Sequence, residues 1–291
     1  MSLHILTPGP LALVEDLGRP GFAHLGVSAS GALDRSALRL ANRLVGNPQD
    51  AAGIEITMGL LEARFDAPTW FAITGAEGDV LLVRDGVPAS SVPLAVATHA
   101  EAGDRIEFGP ARHGVRFYLA VRGGIDGAPT LGSRSSDTLS GLGPAPLSAG
   151  QTLALGAEPE RAIPSADALT VWAPRDDTVV IDVVEGPRTD RFDSHTRDAF
   201  FETTWSMSAS SNRVGARLDG PPLPVARGAE LPSEGMVAGS IQIPPSGLPT
   251  ILLADHPVTG GYPVIAVVSD ASLDAFAQVR PGQHVRFRHA H

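Results

Sequence analysis

"LLADHPVTGGYPVIAV", residues 252–267, sets an eight-residue insert, mostly polar or turn-forming, between two apolar runs. Each run has the length and composition of a short buried strand. The insert, residues 255–262, is open to two interpretations. It is a bare hairpin turn, or it is a pocket wall held between two strands.

The rest of the chain is punctuated in the same way, by 32 glycines and 25 prolines among 291 residues. Such regular breaking predicts many short strands rather than long helices. The runs that we predict as strands are Leu3–Thr7, Leu11–Glu15, Thr69–Thr74, Val80–Val83, Val115–Val121, Thr178–Val184 and Thr250–Ala254.

Few helices are predicted. Residues 34–45 carry apolar side chains at helical spacing, with Asp34 as the N-cap and Gly46–Pro48 as the stop. Two further helices are predicted at Thr189–Phe201 and Ser272–Val279.

A glycine turn that leads into an alternating strand occurs three times, at residues 102–108, 149–155 and 281–287. This arrangement is common in β-barrels and β-sandwiches. It therefore favours a β architecture and indicates no ligand.

Length and composition predict a globular chain of about two domains. Residues 156–167 are poor in apolar side chains and contain two prolines, so we place the boundary there, between lobes 1–160 and 161–291. No apolar stretch reaches the roughly 18 residues of a membrane helix, and the first residues lack a basic segment followed by a long apolar run. We expect a soluble, cytoplasmic protein with no membrane association.

The composition excludes several kinds of chemistry. Acidic residues outnumber basic ones by 32 to 22, so nucleic acid is not an expected partner. All basic residues are arginine, which excludes a P-loop, a serine-lysine amidase site and Schiff-base catalysis. The chain has no cysteine and none of the common metal motifs, so we predict no thiolate chemistry and no metal site.

Three polar, glycine-rich stretches remain as candidate binding segments. The first, residues 15–35, is a long irregular connection in which glycines allow close backbone approach to a ligand. Its candidate hydrogen-bonding and anion-binding residues are Asp16, Arg19, Ser28, Ser30 and Asp34. The alternative is that Asp16 and Arg19 form a salt bridge and Asp34 only caps the helix.

The second stretch, residues 208–218, places Arg213 among hydroxyl groups, a combination that suits a carboxylate or phosphate. Its alternative is an exposed polar turn. The third, residues 233–249, sets lone polar side chains among apolar ones. In a strand, Gln242 would face away from both neighbouring isoleucines, toward solvent or into a cleft.

Five segments, in this order and covering nearly the whole chain, resemble the biotin-dependent carboxyltransferase family, also labelled allophanate hydrolase subunit 2. They are "EDLGRPGFAHLGVSASGALDR", "LANRLVGNPQDAAGIEIT", "RGGIDGAPTLGSRSSDTLSGLG", "SSNRVGARLDG" and "SEGMVAGSIQIPPSGLPTILLADHPVTGGYP". The resemblance implies a mainly β fold with a few helices, in two cyclophilin-like β-barrel lobes. It also implies a partner with which the chain shares an active cleft. That partner is a homologue of the 5-oxoprolinase subunit that resembles allophanate hydrolase subunit 1.

The first activity that the resemblance implies is that of an ATP-dependent 5-oxoprolinase subunit, active only with its partner. Such an enzyme uses ATP with Mg to open the lactam of 5-oxoproline to glutamate. The second is carboxyl transfer from biotin on a carrier protein to urea or a related amide. The third, from another class, is a non-catalytic regulator that binds a kinase-inhibitor homologue.

The resemblance also makes the three stretches walls of one cleft, and it favours the pocket wall for residues 255–262. The implied catalytic residues are Asp255 as a base or orienting group, Arg213 for anion binding, Tyr262 for hydrogen bonding, and Glu234. The implied substrate-binding residues are Asp16, Arg19, Ser28, Ser30, Asp34, Asn212, Gln242 and Thr259.

One position departs from the family pattern. Relatives carry a lysine after Gly-Gly-Tyr-Pro, and this chain has Val264. A positioned oxyanion donor is typically worth about 10²–10³ in rate. The departure therefore lowers the expectation of carboxyl transfer and favours the regulator.

Overall fold

The computed structural model describes residues 1–164, 178–225 and 231–290. Their regular secondary structure is mostly β-strand, with three α-helices, which confirms the predicted fold class. They group into two compact units. Unit 1 comprises Met1–Arg19, Asp34–Asp137 and the described residues from 141 to 164; unit 2 comprises Pro20–Leu33, Thr138–Ser140 and the described residues after 177.

The predicted boundary is only partly described, because residues 165–167 lie outside the described ranges. The division into lobes 1–160 and 161–291 stays a prediction. Within the described ranges, no helix has the length and apolar character needed to cross a bilayer.

Unit 1 is built from two antiparallel sheets. Its strands are β1 Ser2–Thr7, β2 Leu11–Glu15, β3 Gly53–Thr57, β4 Glu62–Phe65, β5 Thr69–Glu77, β6 Val80–Arg84, β7 Val87–Ser91, β8 Thr98–Ala100, β9 Arg105–Phe108, β10 His113–Val121 and β11 Thr152–Ala154. Six strands form one sheet in the order β11-β1-β4-β9-β6-β7, and five form the other in the order β2-β3-β10-β5-β8.

The period of two along each strand decides which side chains fill the core of unit 1. Phe117 and Leu119 of β10 belong to one buried cluster with Leu3 and Ile5 of β1, so the two sheets share this core. Burial of each such side chain contributes about 1.5–3 kcal/mol.

The opposite face of the five-stranded sheet is covered by helix α1, Arg35–Leu44, as the apolar spacing predicted. Ala41 and Leu44 of α1 pack against Ala120 of β10. Asp34 is the N-cap, because its side chain accepts a hydrogen bond from Ala37 N at 2.9 Å.

Unit 2 contains a closed seven-stranded barrel in the order β12-β19-β16-β17-β14-β13-β20, completed by parallel pairing of β12 with β20. A separate two-stranded ribbon joins β15 to β18. The strands are β12 Thr178–Glu185, β13 Trp205–Met207, β14 Gly215–Asp219, β15 Glu234–Gly235, β16 Ser240–Gln242, β17 Thr250–Leu252, β18 Thr259–Gly260, β19 Val264–Val268 and β20 His284–His289.

The opening stretch, residues 252–267, is not a bare hairpin. The first apolar run begins at the end of β17, which stops at Leu252 and not at the predicted Ala254, and the second lies in β19. Strand β16 pairs with both β17 and β19 and lies between them. The connection therefore crosses over a neighbouring strand. This explains why it needs more residues than a two-residue hairpin loop.

The two other predicted helices are corrected in their bounds. Thr189–Phe201 is a 3₁₀ turn, Thr189–Arg191, followed by helix α2, Ser194–Glu202. The break occurs because Asp193 acts as a new N-cap and accepts a hydrogen bond from Thr196 N at 2.7 Å. Helix α3, Asp270–Phe276, begins two residues before the prediction.

The three repeated glycine turns share one backbone conformation. Gly103, Gly150 and Gly282 have φ values of 88°, 83° and 82°, and each precedes the strand predicted for it. A Cβ added at any of the three would meet nothing within 4 Å. Glycine is therefore required here by the backbone conformation and not by packing.

Replacement of Gly282 by alanine is expected to lower the free energy of unfolding by about 1–2 kcal/mol, through left-handed backbone strain alone. Gly235 is the matched control, because its surroundings are equally open and its φ is not in the left-handed region. Gly235→Ala should be neutral or slightly stabilising. Urea denaturation of both variants measures the difference, and equal effects would contradict the explanation.

Candidate functional site

Asp255 lies at the centre of a buried cluster in unit 2. Its side chain is 0% exposed, and the residue follows Leu253 and Ala254, which are buried beyond the end of β17. One carboxylate oxygen accepts from Ser30 Oγ at 2.7 Å and Arg213 Nη2 at 3.1 Å. The other accepts from Arg213 Nε at 3.0 Å, and from the backbone N and Oγ1 of Thr138 at 3.0 and 2.7 Å.

These contacts fix two segments from the first half of the chain to the barrel of unit 2. Arg213, 2% exposed, also donates from Nη2 to the carbonyl of Gly31 at 2.7 Å. Ser30 N donates to Ala254 O at 3.1 Å. Residues 20–33 and 138–140 are thus held by one ion pair and its hydrogen bonds.

The geometry favours the orienting role for Asp255 over the role of a base. Its two oxygens accept five hydrogen bonds, which use the acceptor positions that a proton-abstracting carboxylate would need. A base also has to reach the substrate, and this carboxylate is fully buried.

Ser30 adopts an uncommon backbone conformation for a residue that is not glycine, with φ of 54°. Gly31 beside it has φ of 91°. Both are held by the Asp255–Arg213 pair and the Ala254 carbonyl. Backbone strain of this kind persists where several surrounding contacts hold the residue in place, and it is enriched at ligand-binding sites.

Asp16 and Arg19 lie in unit 1, and neither forms an ion pair within the described ranges, so the predicted alternative of a salt bridge between them is wrong. Asp16 is instead satisfied by neutral donors. Its oxygens accept from Ser133 Oγ and Ser135 Oγ at 2.6 Å, from Arg134 N at 2.6 Å and from Gly18 N at 2.7 Å.

Arg19 is 1% exposed, and its guanidinium is only partly satisfied. Nε donates to Thr130 O at 3.3 Å, and Nη2 donates to Ser135 O. Nη1 is buried and has no hydrogen-bond partner among the described residues. A buried guanidinium without a carboxylate carries a desolvation cost of several kcal/mol, which an anionic ligand at Nη1 would offset.

Asp34 belongs to a separate buried network in unit 1. Its backbone N donates to Tyr118 Oη at 2.8 Å, and Tyr118 Oη donates to Glu55 Oε2 at 2.7 Å. Burial, followed by the charge of Glu55, raises the pKa of the Tyr118 hydroxyl well above its usual range. This network was not predicted from the sequence, although Glu55, the single charged residue between Ile54 and Ile56, was a signal for it.

The remaining candidates lie elsewhere in unit 2. Ser28 is buried, whereas Asn212 is exposed and caps its own turn through hydrogen bonds from Val214 N and Gly215 N. Thr259 is exposed in β18. Asn212 and Thr259 are therefore not brought to Asp255 by any described contact.

Glu234 and Gln242 lie near the β15–β18 ribbon. Glu234 forms an ion pair with Arg188, whose Nε donates at 3.1 Å. Gln242 is buried on the outer side of the barrel, as the period of two allowed, and donates weakly to Met236 Sδ at 3.4 Å. Val264, where the resemblance implies a lysine, packs in an apolar cluster with Met236.

Tyr262 is 49% exposed and lies at a cavity of about 770 Å³ together with Pro263. The residues of the stretch 252–267 thus belong to two different parts of unit 2. Asp255 belongs to the buried ion pair, and Tyr262 lies at a cavity whose other described walls come from residues 222–225, 243 and 245–247.

Comparison with known proteins gives a consistent result along the chain. A family model described as "Carboxyltransferase domain, subdomain A and B" matches residues 25–289. A 5-oxoprolinase subunit of Escherichia coli (strain K12) is 38% identical over 98% of this chain and 90% of its own length. The urea amidolyase of Saccharomyces cerevisiae is 32% identical over 98% of this chain and 16% of its own length.

A solved structure supports the same grouping. The crystal structure of the K. lactis urea amidolyase superposes with a TM-score of 0.90 at 28% identity, over 100% of this chain and 19% of that chain. This agreement confirms the resemblance drawn from the sequence motifs. The chain belongs to the family of the carboxyltransferase domain, subdomain A and B.

Proposed function

We propose that this chain is a subunit of an ATP-dependent 5-oxoprolinase, a cytoplasmic enzyme that opens the lactam of 5-oxoproline to glutamate. The observation that carries the proposal is the extent of the match. The chain aligns with 90% of the E. coli 5-oxoprolinase subunit, but with only 16% of the yeast urea amidolyase. The match therefore spans nearly the whole length of the first relative and one segment of the second.

Nucleotide binding is proposed to need a partner, a homologue of the 5-oxoprolinase subunit that resembles allophanate hydrolase subunit 1. This chain has no lysine for phosphates, and its described residues contain no cluster of three or more His, Asp or Glu that would suit Mg²⁺. The described residues of this chain therefore do not fit ATP with Mg. When bound to the complex, ATP would supply the activation of the lactam carbonyl.

The residues of this chain are proposed to bind and orient the substrate. Arg19 fits an anion, since Nη1 is buried and has no partner among the described residues. The carboxylate of 5-oxoproline is the group that we assign to it. Arg213 and Asp255 are assigned an orienting role, since they hold residues 20–33 and 138–140 in place.

Carboxyl transfer from carrier-bound biotin to urea is the second candidate. The structural similarity to the K. lactis urea amidolyase favours it. A regulator that binds a kinase-inhibitor homologue is the third candidate. It is favoured by Val264, an apolar side chain in a buried cluster at the position where the resemblance implies a lysine.

The test is an ATPase assay on the complex co-purified with this chain from its native cell. We expect ATP hydrolysis that depends on 5-oxoproline and is unchanged by urea. Stimulation by urea together with a biotinylated carrier would support the second candidate. A two-subunit complex that hydrolyses ATP with neither substrate would support the third.

A further inference from the structure

His256 is a buried histidine of unit 2 that follows Asp255 in the chain. Its side chain is only 6% exposed. The other histidines among the described residues of unit 2 are exposed, and they are His24, His195, His284 and His289. Buried polar side chains are normally hydrogen-bonded, so the partners of the two ring nitrogens indicate what His256 does.

The backbone around His256 is fixed by hydrogen bonds within unit 2. Leu253 N donates to Val214 O at 3.0 Å, and His256 N donates to Leu253 O at 3.2 Å. Asp255 N donates to Arg213 O at 3.1 Å, and the side chains of these two residues form the buried ion pair. The imidazole of His256 is thus attached to a turn that is held in place, as a pre-organised functional group requires.

One ring nitrogen of His256 is used within its own turn. Nδ1 lies 2.9 Å from the carbonyl oxygen of Pro257. A carbonyl oxygen can only accept a hydrogen bond, so Nδ1 carries the proton in this contact. In the neutral ring, Nε2 is then the nitrogen with the free lone pair.

The second ring nitrogen of His256 is available to a ligand. Nε2 has no hydrogen-bond partner among the described residues. It is not one of the fully buried polar atoms that lack a partner, so solvent reaches it. Nε2 is therefore an acceptor with a fixed position that a water molecule can approach.

The charged residues that the resemblance implies as catalytic in unit 2 do not offer such an atom. Asp255 accepts five hydrogen bonds. Glu234 is paired with Arg188. Arg213 is a guanidinium, which has no acceptor. Opening of a lactam by water is accelerated by a base that takes a proton from the attacking water, and Nε2 of His256 is suited to this role.

We propose that Nε2 of His256 is the general base of the ring-opening step, an inference that rests on the proposed function. Nε2 takes a proton from water while the water oxygen bonds to the lactam carbonyl carbon. The imidazolium then gives this proton to the ring nitrogen, which keeps the electron pair of the breaking C–N bond. An O–H and a C–N bond are exchanged for a C–O and an N–H bond, and His256 returns to its neutral form.

The first test concerns the ring of His256 and does not use activity. The full chain is labelled with ¹⁵N-histidine, and the His256→Asn variant assigns the signals of His256. At mildly alkaline pH we expect a protonated Nδ1 and an unprotonated Nε2, which their nitrogen chemical shifts distinguish. A protonated Nε2 would overturn the proposal.

The second test measures glutamate formation by the assembled complex. His256→Asn keeps a side-chain N–H for the carbonyl of Pro257 and has no counterpart of Nε2. His256→Gln places an amide near the position of Nε2, and an amide accepts hydrogen bonds but is not a base. Both variants should lower kcat by about 10²–10⁴, with little change in KM. Full activity of His256→Gln would make Nε2 only an acceptor, and full activity of His256→Asn would make it dispensable; either result would overturn the proposal.

His284 provides the matched control, because it is an exposed histidine of β20. His284→Gln should leave kcat unchanged. Urea denaturation of each variant separates the two explanations of a loss: an unchanged midpoint supports a base, and a midpoint that falls together with kcat would make His256 a structural residue. If the wild-type complex forms glutamate and the His256 variants are as active, only this inference fails. If the wild-type complex forms none, the proposed function fails with it.

Discussion

Replacement of Asp255 by alanine is expected to lower the free energy of unfolding of unit 2 by about 3–5 kcal/mol. The change leaves the guanidinium of Arg213 buried without its carboxylate. It also removes the acceptor for Ser30 Oγ and for both donors of Thr138. Each donor that stays buried without a partner adds to the cost.

Urea denaturation followed by circular dichroism measures this effect. The matched variant is the double replacement Arg213→Met with Asp255→Leu, which removes both charges of this buried pair. It should recover about 1–4 kcal/mol relative to Asp255→Ala, because an uncompensated charge is more costly than the loss of the pair. If the single and double variants unfold at the same midpoint, the ion pair is not what holds the cluster.

Replacement of Arg19 by lysine is expected to lower kcat/KM of the assembled complex for 5-oxoproline by about 10²–10³. Lysine keeps the positive charge but has no planar fork that can contact Thr130 O, Ser135 O and a ligand together. A loss that appears mainly in KM would indicate binding of the substrate carboxylate.

Arg134 provides the control for Arg19. It lies in the loop that Arg19 contacts, but its side chain is exposed and paired with Asp126. Arg134→Lys should change kcat/KM by less than about twofold, because exposed pairs contribute little. A similar small effect for Arg19→Lys, at unchanged stability, would remove Arg19 from the substrate site.

The parts of the fold that the sequence predicted correctly are governed by local rules. The N-cap at Asp34 and the left-handed glycines at residues 103, 150 and 282 follow from the preferences of single residues. The strands follow from period and punctuation. Helix α2 began later than predicted because a second capping residue, Asp193, competes within the same helical pattern.

The parts that could not be predicted depend on contacts between distant residues. No feature of the local sequence indicates that β16 lies between β17 and β19. Ser30 and Asp255 are separated by 225 residues, and Thr138 and Asp255 by 117. Thr138 was not recognised as a candidate for this reason, and the partners of Asp255 became visible only in three dimensions.

The candidate site also has a part that the sequence predicted and a part that only the structure shows. The polar, glycine-rich stretches pointed to Arg19 and Arg213, and the resemblance pointed to Asp255; the structure places all three in buried surroundings. The resemblance left Asp255 as a base or an orienting group. The five hydrogen bonds that it accepts favour the second role.

The most direct test of the proposed function is the product formed by the assembled complex. Purified complex is incubated with 5-oxoproline and ATP, with this chain present or left out, and glutamate and ADP are quantified together. The proposal predicts glutamate and ADP in equal amounts, and only when the chain is present. Glutamate formed at the same rate without the chain, or no glutamate from an intact complex that consumes ATP with urea, would contradict it.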